Sequence, residues 1–245
     1  MKKIEVLGAP MHTATMCETI SFIKSRVLNR EFTQHVVVNV AKIVNMRKDK
    51  MLREGVEESD IINIDGMGVV WGARLLGHEV PERVAGIDLF LSLVEMSAEN
   101  DLPIFLLGAK DEVVRKTAEN LQKIYPKLRV AGVHDGYFEK EDEAAVVKQI
   151  SDSGARLMFV AITSPKKEVF INRWGRELGV DFVMGVGGTF DVVSGLTKRA
   201  PQWMQDMGLE WLYRIIQEPR RMWKRYLVTN SKYAWMLFKA KLGFT

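Results

Sequence analysis

Short apolar runs bounded by turn residues recur along the chain at 3–7, 35–40, 61–64, 103–107, 128–133, 157–162 and 182–186. Several are apolar at nearly every position instead of every second one, the pattern of strands buried on both faces. Between them, residues 15–28, 67–76, 87–98, 111–125, 141–153 and 166–178 carry apolar side chains at helical spacing, and Thr15 followed by Glu18 is a capping-box start for the first of these. Strand and helix in alternation predict an α/β fold, Rossmann-like, with a largely parallel sheet and helices on both faces. From Pro201 onward Trp, Tyr and Met recur on helix faces interleaved with Arg and Lys, and no further strand is predicted. The chain thus divides into an α/β catalytic core at 1–195 and a C-terminal helical appendage at 196–245, with no repeats and no linker long enough to separate independent domains.

Charge sharpens that division. Residues 196–245 hold ten bases against three acids, whereas 1–195 hold 25 against 28, so a mildly acidic body carries a basic tail. Such asymmetry points to an anionic partner: nucleic acid, a membrane surface or a phosphorylated ligand. With 47% hydrophobic and 27% charged residues the chain reads as a soluble globular protein, and its single cysteine, Cys17, leaves stability to packing. The first residues lack the apolar core of a signal peptide, and no stretch approaches the roughly 20 apolar residues of a spanning helix. The expectation is a cytoplasmic protein.

In parallel sheets ligands gather at the carboxyl ends of the strands, where loops and helix amino termini present unpaired N–H groups. Asp65 ends one run ahead of Gly66 and Gly68. A carboxylate there could take a proton from an attacking hydroxyl, or simply cap the next helix. The stretch 66–72 imitates a dinucleotide fingerprint but has Trp71 in the third glycine's place, which leaves a nicotinamide oxidoreductase as an alternative. Arg83 stands in a loop leading into a helix and could grip a phosphate or sugar carboxylate, or pair with Glu82 or Asp88. Gly108 follows the run at 103–107. Gly185, Gly187 and Gly188 precede Asp191, so their N–H groups could cradle a diphosphate while the carboxylate meets ribose hydroxyls. Tyr137 could stack on a base or belong to the core.

The segment 218–225 is the densest positive cluster, and its Trp and Met neighbours suit the boundary of a bilayer, the alternative being a solvated helix face. No nucleic-acid-binding signature accompanies it. No D-x-D occurs and His12, His35, His78 and His134 lack ligand spacing, so no metal is expected.

Taken in order, Asn39-Val40-Ala41-Lys42, Ile64-Asp65-Gly66-Met67-Gly68, Pro81-Glu82-Arg83-Val84-Ala85-Gly86, His134-Asp135-Gly136-Tyr137-Phe138, Pro165-Lys166, residues 185–191, Lys198-Arg199-Ala200-Pro201 and residues 208–214 resemble the WecG/TagA/CpsF glycosyltransferase family. The resemblance implies an inverting enzyme without metal or cofactor. It would move N-acetylmannosamine or its uronic acid from a UDP-sugar donor to a lipid-linked undecaprenyl diphosphate N-acetylglucosamine acceptor, in wall teichoic acid or surface polysaccharide synthesis. It implies further that Asp65 is the general base, that Asn39 and Arg83 line its pocket, and that Tyr137 and Asp191 meet the uridine. The appendage would bring Arg214, Arg221 and Arg225 over the site, in peripheral contact with the inner face of the cell membrane. Lys167 and Val37 depart from the family's usual glutamine and threonine, so the donor sugar or diphosphate would meet a cation in place of an amide. Exposed tail aromatics also predict self-association into a homo-oligomer. A non-catalytic protein that binds anionic surfaces is the remaining alternative.

Overall fold

The computed structural model describes residues 1–244, apart from the side chain of Arg221, and the expectation for that side chain therefore lies outside the described residues. Eight strands form one sheet: β1 (Lys2–Val6), β2 (Ala9–Thr13), β3 (Thr33–Val38), β4 (Ile61–Ile64), β5 (Ile104–Gly108), β6 (Val130–His134), β7 (Leu157–Ala161) and β8 (Phe182–Gly185). Their spatial order is β1-β2-β4-β3-β8-β7-β5-β6. All neighbours are parallel except the hairpin of β1 and β2, where Leu7 and Gly8 turn with positive φ. The α/β fold with a largely parallel sheet expected from the alternation is the fold the chain adopts. β2 was not anticipated, because Ala9-Pro10-Met11-His12-Thr13 has neither a clean alternation nor a continuous apolar run.

The sheet is covered on both sides. On one face α1 (Met16–Leu28), α5 (Gly86–Glu99) and α6 (Asp111–Ile124) close over a single cluster that includes Ile23, Phe90, Leu93, Leu121, Phe159 and Phe182. Phe90 stands edge-on to Phe159 at 4.7 Å. Each such fully buried ring contributes roughly 2 kcal/mol by leaving water. On the other face α2 (Val40–Met46), α3 (Lys50–Glu57) and α4 (Met67–Leu75) pack around Ile62 and Ile64. There α7 (Glu143–Asp152) and α8 (Lys166–Trp174) pack around Phe105, Met158 and Val183. Consecutive residues such as Ile61 and Ile62 enter opposite layers, as the two-residue period of a strand requires.

The apolar run at 35–40 does not end as a strand. Asn39 leaves the sheet and caps α2, its Oδ1 accepting the Lys42 N–H at 3.0 Å. The stretch that imitates a dinucleotide fingerprint is the start of α4, and its glycines serve packing. A Cβ on Gly68 would lie 2.9 Å from the Val40 side chain, and one on Gly72 would lie 2.1 Å from the Tyr233 hydroxyl.

Tyr233 belongs to α12 (Pro219–Lys241), the last of four helices after the sheet, with α9 (Thr189–Val193), α10 (Gln202–Asp206) and α11 (Glu210–Gln217) ahead of it in the chain. α12 lies against α2 and α4: Tyr233 is buried, Met236 and Leu237 pack on the same cluster, and Lys241 Nζ donates to the Leu75 carbonyl at 3.0 Å. No helix among the described residues is long and apolar enough to cross a membrane.

Candidate functional site

Along the carboxyl edge of the sheet, the strand order sets a row. Asp65 follows β4, Asn39 follows β3, Gly187 and Gly188 follow β8, the segment leading to Lys167 follows β7, Gly108 ends β5, and Tyr137 follows β6. Neighbouring strands lie about 4.8 Å apart, which separates Asp65 from the glycine turn by roughly 10 Å. The nine expected core residues thus share one edge, with Arg83 and Asp191 on loops and helices that lead from it.

Asp65 does not cap α4. Gly66 holds the cap position with φ 99° and makes no side-chain bond, so the carboxylate stays available. Its backbone N–H donates to the Val38 carbonyl at 2.9 Å, continuing the ladder one residue beyond β4. The loop carrying Arg83 is stitched to the same strand, because the Val84 N–H donates to the Ile64 carbonyl at 3.0 Å. Gly86 lies next to both groups: a Cβ there would sit in ordinary contact, 3.6 Å from Val37 Cγ1 and 3.9 Å from Asp65 Oδ2. Val37, Asp65 and the Arg83 loop therefore form one corner. Burial lifts the Asp65 carboxyl above the ordinary aspartate range, opposed by Arg83, Arg214 and Lys42 and aided by Glu210. A carboxylate made more basic in this way is suited to accept a proton.

Arg83 pairs with neither Glu82 nor Asp88. Its partner is Glu210, at the start of α11, 127 residues away. Glu82 instead accepts the Met16 N–H, while Asp88 receives both terminal nitrogens of Arg199 at 2.6 and 2.7 Å. The appendage reaches this corner because Gly208, with φ 71°, turns the chain directly against Met67; a Cβ there would lie 2.5 Å from Met67 Cγ. Arg214 stands near enough for its charge to act on Asp65, and both Arg214 and Arg225 act on the Tyr226 hydroxyl, whose ring neighbours Trp211 at 5.9 Å.

Beside Asn39 lies a buried trio. Lys42 Nζ and Lys167 Nζ both approach Glu168 Oε1, at 2.9 and 3.2 Å, and all three side chains are less than a tenth exposed. Lys167 reaches this position by lying across Gly185, where a Cβ would come within 2.4 Å of its Cε. Desolvation pulls Lys42 down to about 8, and the two lysines hold Glu168 at about 2 despite its burial. Two cations against one anion at the edge of the sheet leave an excess of positive charge next to the glycine turn.

At the far end, glycine permits close strand ends. Gly108 has φ 123°, and a Cβ there would meet the Ala161 backbone at 2.5 to 2.8 Å. The Gly136 N–H donates to the Ala109 carbonyl at 2.9 Å, which draws the 135–137 loop onto the end of β5. Tyr137 projects from that loop 75% exposed, so it is no core tyrosine. Gly187 turns with φ 55° and Gly188 precedes α9, where Asp191 Oδ2 lies 3.7 Å from a Cβ placed on Gly188. α9 is anchored through Phe190, fully buried against Phe90, and through Thr117 and Asn120 of α6, which donate to the Phe190 and Val193 carbonyls.

Sequence reasoning gave no role to Glu210, Arg199, Lys42, Glu168 or Tyr226. Lys42 and Glu168 are 126 positions apart, so no local spacing pairs them. The only hint is at Lys42, a charge inside an otherwise apolar helix start.

Comparison with known proteins shows the family of this chain. Residues 4–245 match the glycosyl transferase WecG/TagA/CpsF family. An N-acetylglucosaminyldiphosphoundecaprenol N-acetyl-beta-D-mannosaminyltransferase of Bacillus subtilis (strain 168) is 38% identical over 192 residues, which span 78% of this chain and 73% of that protein. A carboxylate corner, a glycine turn two strands away and a match over almost the whole length together assign this chain to the WecG/TagA/CpsF family of glycosyltransferases.

Proposed function

We propose that this glycosyltransferase moves N-acetylmannosamine or a closely related sugar from a UDP-sugar to undecaprenyl diphosphate N-acetylglucosamine, with inversion and without a metal, in teichoic acid or surface polysaccharide synthesis. The observation that carries the reading is the partly buried Asp65 beside Arg83, about two strand spacings from the turn at Gly187 and Gly188. Uridine stacks on Tyr137 and meets Asp191, with Gly108 giving the backbone close approach. The diphosphate lies on the glycine turn, and the anomeric carbon faces Asp65. Asp65 takes the proton of the acceptor hydroxyl as that oxygen attacks from the face opposite the diphosphate, and inversion follows.

Charge building on the leaving diphosphate is met by the N–H groups of the turn, by Lys167, and by Arg214, Arg221 and Arg225. Asn39 has its Oδ1 committed to the helix cap, so its amide N–H pair is what it offers the sugar. The division at 195 and 196 into a catalytic core and an acceptor-facing appendage belongs to the same reading. So do peripheral binding to the inner face of the membrane and homo-oligomer formation, both through the exposed tail aromatics. The activity of the Bacillus subtilis relative supports the choice of sugar and acceptor. Val37 and Lys167 are the positions at which this chain would differ in its donor.

A panel of UDP-sugars offered with a short-chain lipid diphosphate acceptor tests the proposal. Transfer of one N-acetylhexosamine-type sugar with inverted anomeric configuration, undiminished by a chelator, is expected. Transfer from no UDP-sugar, or retention of configuration, would reject it.

A further inference from the structure

Four charged residues from four separate parts of the chain form a continuous line at the Asp65 corner. Asp88, in the first turn of α5, holds both terminal nitrogens of Arg199 at 2.6 and 2.7 Å. Arg199 Nε lies 3.7 Å from Glu210 Oε1, and the other oxygen of Glu210 is bound by Arg83. Glu210 thus sits between two guanidinium groups, one oxygen turned to each. Arg83 and Glu210 are mostly shielded from solvent, at 15% and 27% side-chain exposure, so their attraction is screened less than that of a surface pair. The line joins the core to the appendage at the residue where α11 begins.

We infer that Glu210 is a positioning residue for the transfer step: it fixes Arg83 and the start of the appendage against the Asp65 corner. The inference rests on the reading of Asp65 as the general base. An ion pair that tied only two surface elements together would act on stability alone. Here the charge of Glu210, held in place by its two guanidinium partners, also acts on Asp65, and like charges disfavour each other's ionised form. The other groups whose charge reaches Asp65 are Arg83 from the 81–86 loop, Arg214 from α11 and Lys42 from α2, all cations. Glu210 is the single anion in that set. It therefore opposes three cations that would otherwise leave Asp65 a weak base.

The consequence has opposite signs for the two neighbours of the line. Glu210→Gln removes the anion and releases Arg83 toward Asp65; both changes make Asp65 easier to ionise. Arg199→Gln removes a cation from the outer side, leaving Asp88 without its partner and Glu210 with Arg83 alone, which makes Asp65 harder to ionise.

The test is the pH profile of kcat/KM for the full-length enzyme with a short-chain lipid diphosphate acceptor, in wild type, E210Q, E210D and R199Q, each checked for native fold by near-ultraviolet circular dichroism. The acid limb is expected to move down by about half a pH unit or more in E210Q and up in R199Q. E210D, which keeps the charge, should retain most of the wild-type limb. An unmoved limb in E210Q, or movement of both variants in one direction, overturns the inference. If E210Q does not fold, the upward movement in R199Q decides alone, and its absence is a refutation. D65N separates the two readings: near-normal activity in D65N removes the general-base assignment itself, whereas an inactive D65N with unshifted limbs in E210Q and R199Q removes only the role of Glu210.

Discussion

Aromatic residues are treated in opposite ways by the sheet layers and by the tail. Between α5 and the sheet, Phe90, Phe159 and Phe182 are fully buried and touch one another. In α11 and α12, Trp211, Trp223, Trp235 and Phe238 are 38%, 53%, 57% and 55% exposed. Only a narrow seam of the tail, with Met204, Met222 and Tyr233, is buried. The same residue type therefore drives folding in one region and is left exposed in the other. Proteins rarely keep so many large apolar side chains in contact with water unless another surface covers them. Under the proposed function, the difference would separate where the bond is made, at the sheet edge, from where the acceptor is met.

Substitutions at either end can break or sharpen that separation. The largest effect belongs to the sheet edge: Asp65→Asn should keep UDP binding and lose about a hundredfold or more in turnover. Titration of UDP alongside kcat measures both, and a folded variant with near-normal kcat would move the chemistry elsewhere. Next comes the seam. Gly72→Leu places a side chain where Tyr233 lies, so α12 is displaced while the donor side stays intact. Transfer to a lipid-linked acceptor should fall roughly tenfold or more with UDP affinity unchanged, and equal losses in both would mean that the tail does not act separately.

A smaller effect is expected from the exposed tail face. Trp223→Ala with Trp235→Ala should weaken binding to vesicles containing anionic lipid by about tenfold, measured by sedimentation, with thermal stability unaltered because neither ring is in the core. Unaltered vesicle binding would detach these rings from the membrane role.

The last prediction concerns the buried region alone. His35 is 1% exposed, its Nε2 lies 2.8 Å from Asn63 Oδ1, and burial holds its pKa near 4 instead of 6.5. Unfolded, the ring takes up a proton as pH falls below about 6.5; folded, it does so only near 4. Between these values the unfolded chain binds more protons, so stability drops on acidification by up to about 1.4 kcal/mol per pH unit. Chemical denaturation between these two pH values should show that slope, and His35→Gln should flatten it.

Much of the fold was legible because strands buried on both faces announce themselves. Leu157 to Ile162 is apolar throughout and Ile61 to Ile64 is interrupted only by Asn63, and both become inner strands. β2, between the edge strand β1 and β4, was hidden because it is only partly buried and shows no such run, and α2 and α3 were hidden because they are short and follow caps at Asn39 and Asp49 that resemble ordinary loop residues. At the site, Asp65, Arg83 and the glycine turn stood out through their place after strands or their local clustering. Glu210 did not, because its meaning depends on Arg83 and Arg199, and only the folded chain brings those two to either side of it.

The strand order also has an evolutionary consequence. β3 and β4 lie on one side of β8, and β5 and β6 on the other, so the ends of the row are roughly 24 Å apart. Positions such as Val37, which touches the Asp65 corner across Gly86, can drift without disturbing Gly108, Gly136 or Tyr137 at the opposite flank. With the donor placed as proposed, a lineage built on this sheet would be free to exchange one sugar for another while keeping the same nucleotide carrier, since selection on the two halves of the donor would act on separate strands.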